Sequence, residues 1–154
     1  MAYLPAGMPA PQASKDDVPF WDGCNQKKLV IRHCNVCQRF FHPPAPACPR
    51  CASTNVGWKE VSGKGTVFTY TIGHHAVHSS LKGHKPYNVT IVLLDDADDV
   101  RLVSNVVDVE PQDMKIGMPV SIFWDEISEG VYLPRFKRSL MQKVKTATMA
   151  RQSV

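Results

Sequence analysis

The chain has 154 residues, of which 44% are hydrophobic and 21% are charged, values typical of a globular protein with a modest core. No apolar run approaches the ~20 residues that a membrane-spanning helix needs, and the N-terminus has neither the basic start nor the apolar stretch of a secretory signal, so we expect a cytoplasmic protein. The net charge is +4, yet six basic and no acidic residues lie from residue 135 onward, which leaves 12 basic against 14 acidic side chains in the rest.

The N-terminal quarter predicts an arm, a helix and a strand. Residues 1–15 are rich in proline and alanine without periodicity, which predicts a flexible arm. Asp16 or Asp17 can cap a short helix that places Phe20, Trp21 and Cys24 on one face. Residues 29–34 then predict a strand that leads into a cysteine-rich segment, and together residues 16–58 form the first predicted domain.

The second domain, residues 59–138, predicts strands separated by turns. In the first strand, Phe68, Tyr70 and Ile72 share one face, and Pro134 confines the last strand to an edge or a bulge. Five short strands at regular spacing favour a small closed barrel. The predicted strands cover residues 65–75, 87–96, 100–109, 120–127 and 131–136, and residues 139–154 form a basic C-terminal tail.

Two CxxC pairs separated by ten residues predict a metal centre. Each CxxC turn directs two thiolates toward one point, and four thiolates complete the tetrahedral shell that zinc prefers. A redox role needs a single CxxC at the start of a helix, and disulfides are disfavoured in a reducing compartment. We therefore expect a structural zinc ion. Its ligands would be Cys34, Cys37, Cys48 and Cys51.

Three residues near this centre receive a structural interpretation. Cys24 is expected to be a small buried hydrophobic residue on the helix. His33 and His42 flank the cysteines and can replace a ligand, but four thiolates already complete the shell. We expect both histidines at the surface or behind the ligands.

The order of motifs resembles a known family. The FW-containing helix, the run LVIRHCNVC, the prolines before ACPRC, and then SGKGTVFTYT, KPYNVTIVLLDD, IGMPV and LPRF are similar to zinc-ribbon plus OB-fold proteins long catalogued as a domain of unknown function. The resemblance covers about residues 20–136. Many members carry Gly just after each CxxC, where this chain has Gln38 and Ala52. The resemblance implies a mainly β fold with an N-terminal helix, a rubredoxin-like zinc ribbon and a five-stranded OB-fold barrel.

The resemblance also implies a function in acyl-CoA metabolism. Such proteins are non-catalytic partners of thiolase-fold enzymes, including thiolases and retro-aldolases that shorten acyl-CoA side chains. The partner holds the catalytic residues, while the OB-fold subunit stabilises it and helps to enclose the acyl-CoA. We therefore expect a hetero-oligomer that is not an enzyme on its own, with coenzyme A thioesters as substrates of the complex.

Contacts with the substrate or the partner are expected in two places. The first is the histidine-rich loop of residues 73–86, which borders the usual ligand face of an OB fold. The second is the basic cluster after the last strand, where Lys or Arg suits the phosphates of coenzyme A. The candidate residues are His74, His75, His78, His84, Tyr87, Arg135, Phe136 and Lys137.

Two alternatives remain open. Zinc ribbons and OB folds also occur in nucleic-acid-binding proteins, although the slightly acidic body argues against phosphate contacts over a broad surface. A metal-dependent hydrolase that uses the histidine loop is the second alternative, although the loop contains no carboxylate.

Overall fold

The computed structural model describes residues 2–139, which form a mainly β protein with one α-helix. The predicted tail, residues 139–154, lies outside the described residues except for Ser139. The elements are α1 Val18–Asn25, the ribbon strands β1 Val30–Cys34, β2 Phe40–Phe41 and β3 Val56–Glu60, and the barrel strands β4 Lys64–Gly73, β5 Tyr87–Leu94, β6 Arg101–Ser104, β7 Pro119–Ser128 and β8 Val131–Arg138, with 3-10 turns at Ser79–Leu81 and Pro111–Asp113.

The predicted helix is present, and Asp17 is its N-cap. The Asp17 carboxylate accepts hydrogen bonds from the Ser14 backbone N–H at 2.5 Å and from the Trp21 indole N–H at 3.2 Å. Phe20 and Cys24 are buried, as an amphipathic helix requires. The helix therefore presents its apolar face to the rest of the molecule.

The ribbon is a small three-stranded sheet of order β2-β1-β3. Strand β1 pairs antiparallel with both neighbours, with Arg32 opposite Phe41 on one side and Trp58 on the other. The sequence predicted only β1. Strand β2 has two residues, too few to show an alternating pattern, and β3 contains Gly57, which weakens the strand signal.

The predicted five-stranded barrel is confirmed as a curled sheet of order β6-β5-β4-β7-β8 with antiparallel neighbours. Its two edges meet through a parallel bridge between Val106 and Phe136. The Val107 N–H donates to the Phe136 carbonyl at 2.8 Å, and the Phe136 N–H donates to the Asn105 carbonyl at 2.9 Å. This connection gives the OB-fold half-barrel its closure and protects the edges from unwanted pairing.

A bulge in β4 corrects the predicted face of one aromatic residue. The pairing of β4 with β5 shifts between Val67 and Thr69, so that Phe68 is the extra residue. Val67 is buried in the core, whereas Phe68 is 45% exposed; Tyr70 packs against the core. Because one additional residue reverses the alternation of a strand, Phe68 does not share the inner face with Tyr70.

Strand β5 has an unusual polarity. Its fully buried positions include Asn88 and Thr90, while the alternate positions Tyr87, Val89 and Ile91 are half-buried. In the first half of this strand, apolar side chains therefore lie on the outer face and polar ones on the inner face near the barrel seam. In the second half, the inner face is apolar as well, with Val92 and Leu94. The outer apolar face forms part of a cavity described below.

Helix α1 and strand β1 share the main core of the barrel, while Cys34, Phe41 and Cys48 form a second, smaller cluster within the ribbon. Phe20 of α1 and Ile31 of β1 pack in the same cluster as Val92 and Phe136 of the barrel. Within residues 2–139, no helix combines the length and apolar character needed to cross a membrane. The ribbon is thus fixed against the barrel by burial of apolar surface.

The aspartate-rich turn adds polar contacts to this interface. Arg39 lies 2.8 Å from Asp99, and the Phe40 N–H donates to Asp98 at 2.7 Å. The turn that the sequence predicted between two strands therefore also anchors the zinc ribbon.

Candidate functional site

The four predicted ligands converge in the ribbon. Their sulfur atoms all lie within 4.8 Å of one another, and the Sγ–Sγ distances are 3.6 Å for Cys34 and Cys51 and 3.6 Å for Cys37 and Cys48. A tetrahedron with ~2.3 Å zinc–sulfur bonds has sulfur–sulfur edges of about 3.8 Å. The cluster therefore has the size of a four-thiolate zinc shell. Among residues 2–139, it is the only group of three or more His, Cys, Asp or Glu arranged to hold a metal.

Both cysteine turns end in a residue with left-handed backbone geometry. Gln38 has φ 59° and Ala52 has φ 57°, the two positions where the sequence departs from the glycine common in the family. The Ala52 N–H donates to the Cys48 carbonyl at 2.9 Å, and the Cys34 N–H donates to the Arg39 carbonyl at 2.9 Å. These turns tolerate a side chain at the cost of some backbone strain.

Backbone N–H groups make the cluster suitable for thiolates. The hydrogen bond from the Cys51 backbone is the main reason that the pKa of Cys48 falls to about 6. The Cys37 N–H, 3.5 Å from the Cys34 sulfur, is the main reason that the pKa of Cys34 is lowered. Thiolates are the form that binds metal. The hydrogen bond from the Arg39 backbone lowers the pKa of Cys37, but burial and its hydrogen bonds with the other three cysteines outweigh that bond and raise the pKa of Cys37 to about 11. The donor set and the distances between the sulfur atoms are therefore what fit a structural zinc ion that uses all four sulfurs.

The predicted burial of Cys24 is confirmed: its side chain is fully buried in α1, and this burial raises its pKa to about 12. His33 is also buried, with Nε2 3.1 Å from the Gln38 carbonyl oxygen. Of the two places expected for it, it therefore lies behind the ligands, where it contacts the first cysteine turn, and not at the surface. His42 is half-buried with its ring 5.6 Å from that of Phe20. Burial lowers the pKa of His42.

The histidine loop does not form a site in this structure. His74 and His75 are exposed, the His78 Nδ1 accepts the Ser80 N–H at 3.2 Å, and the His84 Nδ1 lies 2.7 Å from the Lys85 carbonyl oxygen. The space enclosed by this loop is about 10 Å³. These histidines are available to a partner, but the structure does not bring them together around a ligand.

The other predicted contact residues have different surroundings. Tyr87 is half-buried and lines a large cavity, while Lys137 is exposed with its amine 3.8 Å from the centre of the Phe123 ring. Phe136 is fully buried in the barrel core, and Arg135 is buried. This corrects the prediction for Arg135 and Phe136, since neither offers an exposed side chain to a coenzyme A phosphate.

Arg135 belongs to a buried polar network that sequence reasoning missed. Its guanidinium pairs with Asp125 and donates to the Asn105 side-chain oxygen. The Tyr3 N–H donates to Asp125 at 3.2 Å, and the Tyr3 hydroxyl accepts from Asn88 at 3.2 Å. The segment predicted as a flexible arm therefore contacts the barrel seam. The sequence held one indication of this network, namely Asp125 within the largely apolar strand β7, because a carboxylate that the strand buries needs a partner.

A cavity of about 740 Å³ lies beside this network. Its walls come from the N-terminal segment, α1, the loop after β2, and strands β5, β6 and β8. Leu4, Trp21, Val103 and Leu133 contribute apolar surface. The volume lies within the range of small-molecule sites, so this cleft between ribbon and barrel is the main candidate for ligand binding.

Two family descriptions match successive parts of the chain. The description "ChsH2, rubredoxin-like zinc ribbon domain" matches residues 21–57, and "ChsH2, C-terminal OB-fold domain" matches residues 58–125. The ranges correspond to the ribbon and to most of the barrel described above.

Two named proteins are similar to this chain in sequence. The chain is 35% identical over 135 residues to a probable enoyl-CoA hydratase alpha subunit of Thermomonospora curvata, covering 88% of this chain and 41% of that protein. It is 37% identical over 111 residues to a DUF35 domain-containing scaffold protein of Pyrococcus furiosus, covering 71% and 79% of the two chains.

A solved structure agrees in fold and sequence. A chain of the Ltp2-ChsH2(DUF35) aldolase superposes with a TM-score of 0.77 at 35% identity, covering 84% of this chain and 99% of that one. The fold is thus shared along nearly the whole of the matched chain. This protein belongs to the DUF35 family of zinc-ribbon plus OB-fold proteins, of the ChsH2 type.

Proposed function

We propose that this chain is a non-catalytic, zinc-binding subunit of a cytoplasmic, thiolase-like acyl-CoA enzyme complex, in which it stabilises the catalytic subunit and helps to enclose the acyl-CoA. The observation that carries the proposal is the match to the chain of the Ltp2-ChsH2(DUF35) aldolase, over 99% of that chain's length. A shared fold at this level of identity supports assembly with a partner through the corresponding surface.

The metal centre supports a structural role. Four thiolates use every position of a tetrahedral zinc ion, and a catalytic zinc ion keeps one position for water or substrate. The free, unbridged cysteines suit a reducing compartment. We propose the same division as the sequence predicted, with residues 16–58 as the metal-stabilised ribbon, residues 59–138 as the OB-fold domain and residues 1–15 as an arm.

The names of the relatives indicate the chemistry. The Thermomonospora protein is named as a hydratase subunit for enoyl-CoA, and the Pyrococcus protein is named as a scaffold. The chain spans 41% of the Thermomonospora protein. The name of that longer protein therefore supports a coenzyme A thioester as substrate, but not hydratase activity in this chain. The thiolase fold of the partner follows from the family resemblance.

Affinity purification of the tagged chain from its native cells tests the proposal. We expect a thiolase-fold protein to co-purify at a fixed ratio, and we expect the complex, but not the isolated chain, to cleave or condense acyl-CoA. Turnover by the isolated chain that disappears in His78→Ala would instead support the histidine-loop hydrolase. Tight, salt-resistant polynucleotide binding without any companion enzyme would support the nucleic-acid alternative.

A further inference from the structure

The N-terminal segment forms one wall of the cavity between ribbon and barrel. Residues 3–13, which we call the strap, run from the barrel seam to the start of α1. At the helix end, the Ser14 N–H and hydroxyl donate to the Asp17 carboxylate at 2.5 Å and 2.9 Å. At the seam end, Tyr3 contacts the buried polar network. The strap is therefore held at both of its ends.

Tyr3 anchors the strap through three contacts with the barrel seam. Its backbone N–H donates to Asp125 at 3.2 Å, and its hydroxyl accepts from the Asn88 amide at 3.2 Å. The guanidinium carbon of Arg135 lies 5.3 Å from the centre of its ring, within the range of a cation–π contact. Two of the three contacts depend on the side chain. A substitution at Tyr3 therefore weakens the anchor but leaves the buried ion pair of the barrel in place.

Gly7 places the middle of the strap against the histidine loop. Its φ of 88° lies in the left-handed region that favours glycine. A Cβ atom at this position would lie 2.8 Å from Ser80 Oγ and 3.9 Å from Ser80 Cβ, so the close approach of the two segments requires glycine. Ser80 belongs to the 3-10 turn Ser79–Leu81, which the His78 side chain caps. The histidine loop thus supports the strap, although it forms no site of its own.

Few bonds hold the strap between these contacts. Within the part of the chain that the structure describes, no hydrogen bond between backbone groups ties residues 4–13 to another segment. Leu4 and Met8 are half-buried and line the cavity, together with Val89 of β5 and Val103 of β6. Segments with few buried contacts open at a lower free energy than the strands of a core. Opening of the strap removes one wall of the cavity and exposes the apolar outer face of β5.

We propose that the strap is a displaceable cover whose closed and open positions control access to the cavity between ribbon and barrel. The anchor at Tyr3 sets how often the strap opens, and the contact of Gly7 with Ser80 sets where the closed strap lies. All three residues belong to one chain, so the control operates in the isolated protein. The inference is independent of the enzyme partner, and the tests below leave the proposed function untouched if they fail.

An engineered disulfide tests the position of the strap. Gly7→Cys combined with Ser80→Cys places two Cβ atoms 3.9 Å apart, a separation typical of disulfides. With zinc present to protect the ribbon thiolates, oxidised glutathione is expected to link this pair at least about tenfold faster than Gly7→Cys combined with Lys82→Cys, two residues along the same loop. Mass spectrometry of peptides identifies the link. Equal rates for the two pairs would show a mobile arm and overturn the proposal.

Thermolysin measures how often the strap opens. Cleavage before Met8 requires a locally unfolded segment, so its rate follows the open population. Tyr3→Ala loses the hydroxyl hydrogen bond and the ring contact, and cleavage should be about tenfold faster than in the wild type. Tyr3→Phe keeps the ring and should show a smaller increase. The control is Tyr132→Ala, which removes a half-buried tyrosine outside the cavity wall and should leave the rate unchanged. Equal rates in wild type and Tyr3→Ala would contradict the anchor.

Nile red, an uncharged apolar dye, measures access to the cavity. Its fluorescence is expected to rise severalfold in Tyr3→Ala, and to be lower with the oxidised than with the reduced Gly7→Cys/Ser80→Cys variant. Val103 and Ile116 are 72% and 68% exposed, but only Val103 lines the cavity. Val103→Glu should therefore abolish the gain of Tyr3→Ala, and Ile116→Glu should not. Equal dye fluorescence with the oxidised and reduced variants would show that the strap does not control access.

Discussion

Asp125 and Arg135 form a buried ion pair, with 2.5 Å between Asp125 Oδ2 and Arg135 Nε and side-chain exposures of 3% and 7%. The pair joins β7 to β8 and receives the backbone N–H of Tyr3. Charges taken out of water are tolerated only when each finds a partner. This pair therefore couples the N-terminal segment to the barrel.

Removal of one member of this pair is expected to destabilise the fold strongly. Arg135→Met leaves the Asp125 carboxylate buried without its cation, and the free energy of unfolding should fall by about 3–5 kcal/mol. Urea denaturation monitored by tryptophan fluorescence measures the change. Arg39→Met is the matched control, because its ion pair with Asp99 has exposures of 32% and 65% and should contribute at most about 1 kcal/mol. Equal losses in the two variants would contradict this account.

Metal content tests the ribbon. We expect one zinc ion per chain by elemental analysis, and its loss in Cys51→Ala, because three thiolates leave the tetrahedral shell incomplete. Cys24→Ala removes a cysteine outside the cluster and should keep the zinc. Chelation should expose the ribbon amides to hydrogen exchange before those of the barrel, since the ribbon has a small core of its own. Full zinc content in Cys51→Ala would refute the ligand assignment.

The five cysteines should differ in reactivity toward iodoacetamide. Burial raises the pKa of Cys24 to about 12, so at pH 8 its thiol is protonated and shielded, and we expect no alkylation in the folded protein. After chelation, the four ribbon cysteines should react while Cys24 remains unmodified until urea unfolds the chain. Mass spectrometry of peptides from each stage identifies the modified residues. Early alkylation of Cys24 would show that α1 opens independently of the core.

His42 should make stability depend on pH. Burial lowers the pKa of His42 in the folded state below the value of 6.5 in the unfolded chain, so the unfolded state takes up the proton first. The contribution of neutral His42 to the free energy of unfolding is therefore complete above pH 6.5. It is lost as the pH falls toward the lowered pKa of His42 in the folded state. The difference in unfolding free energy between wild type and His42→Phe should shift in favour of the variant between pH 7.5 and pH 5.5. A difference independent of pH would contradict the lowered pKa.

Much of the fold could be predicted from patterns of residues close together in the sequence. The spacing of the cysteines predicted the metal cluster because each CxxC turn is a local structure, and alternation predicted the long barrel strands for the same reason. The bulge at Phe68 was not predictable, since it depends on the register against β5. The two shortest ribbon strands carry too few residues for a pattern.

The functional residues were harder to predict because their surroundings come from distant segments. Arg135 and Phe136 lie in a basic run that looks solvent-exposed in the sequence, but β7 and the N-terminal segment bury Arg135, and the barrel core buries Phe136. The cleft draws on the N-terminal segment, α1, the ribbon and three strands. Side chains brought together from such distant positions show no common spacing in one sequence.

The polarity of β5 has a consequence for how the chain finds its correct alignment. With apolar residues on both faces of this strand, hydrophobic burial distinguishes poorly between the native pairing and a slip by one residue. Asn88 provides the missing discrimination, because its side chain accepts the Val106 N–H at 2.8 Å and donates to the Val106 carbonyl at 2.8 Å. Both bonds are lost in a slipped strand. The hydrogen bonds of one amide side chain thus favour the native register of β5, the strand that contacts Tyr3 of the N-terminal segment and lines the cavity.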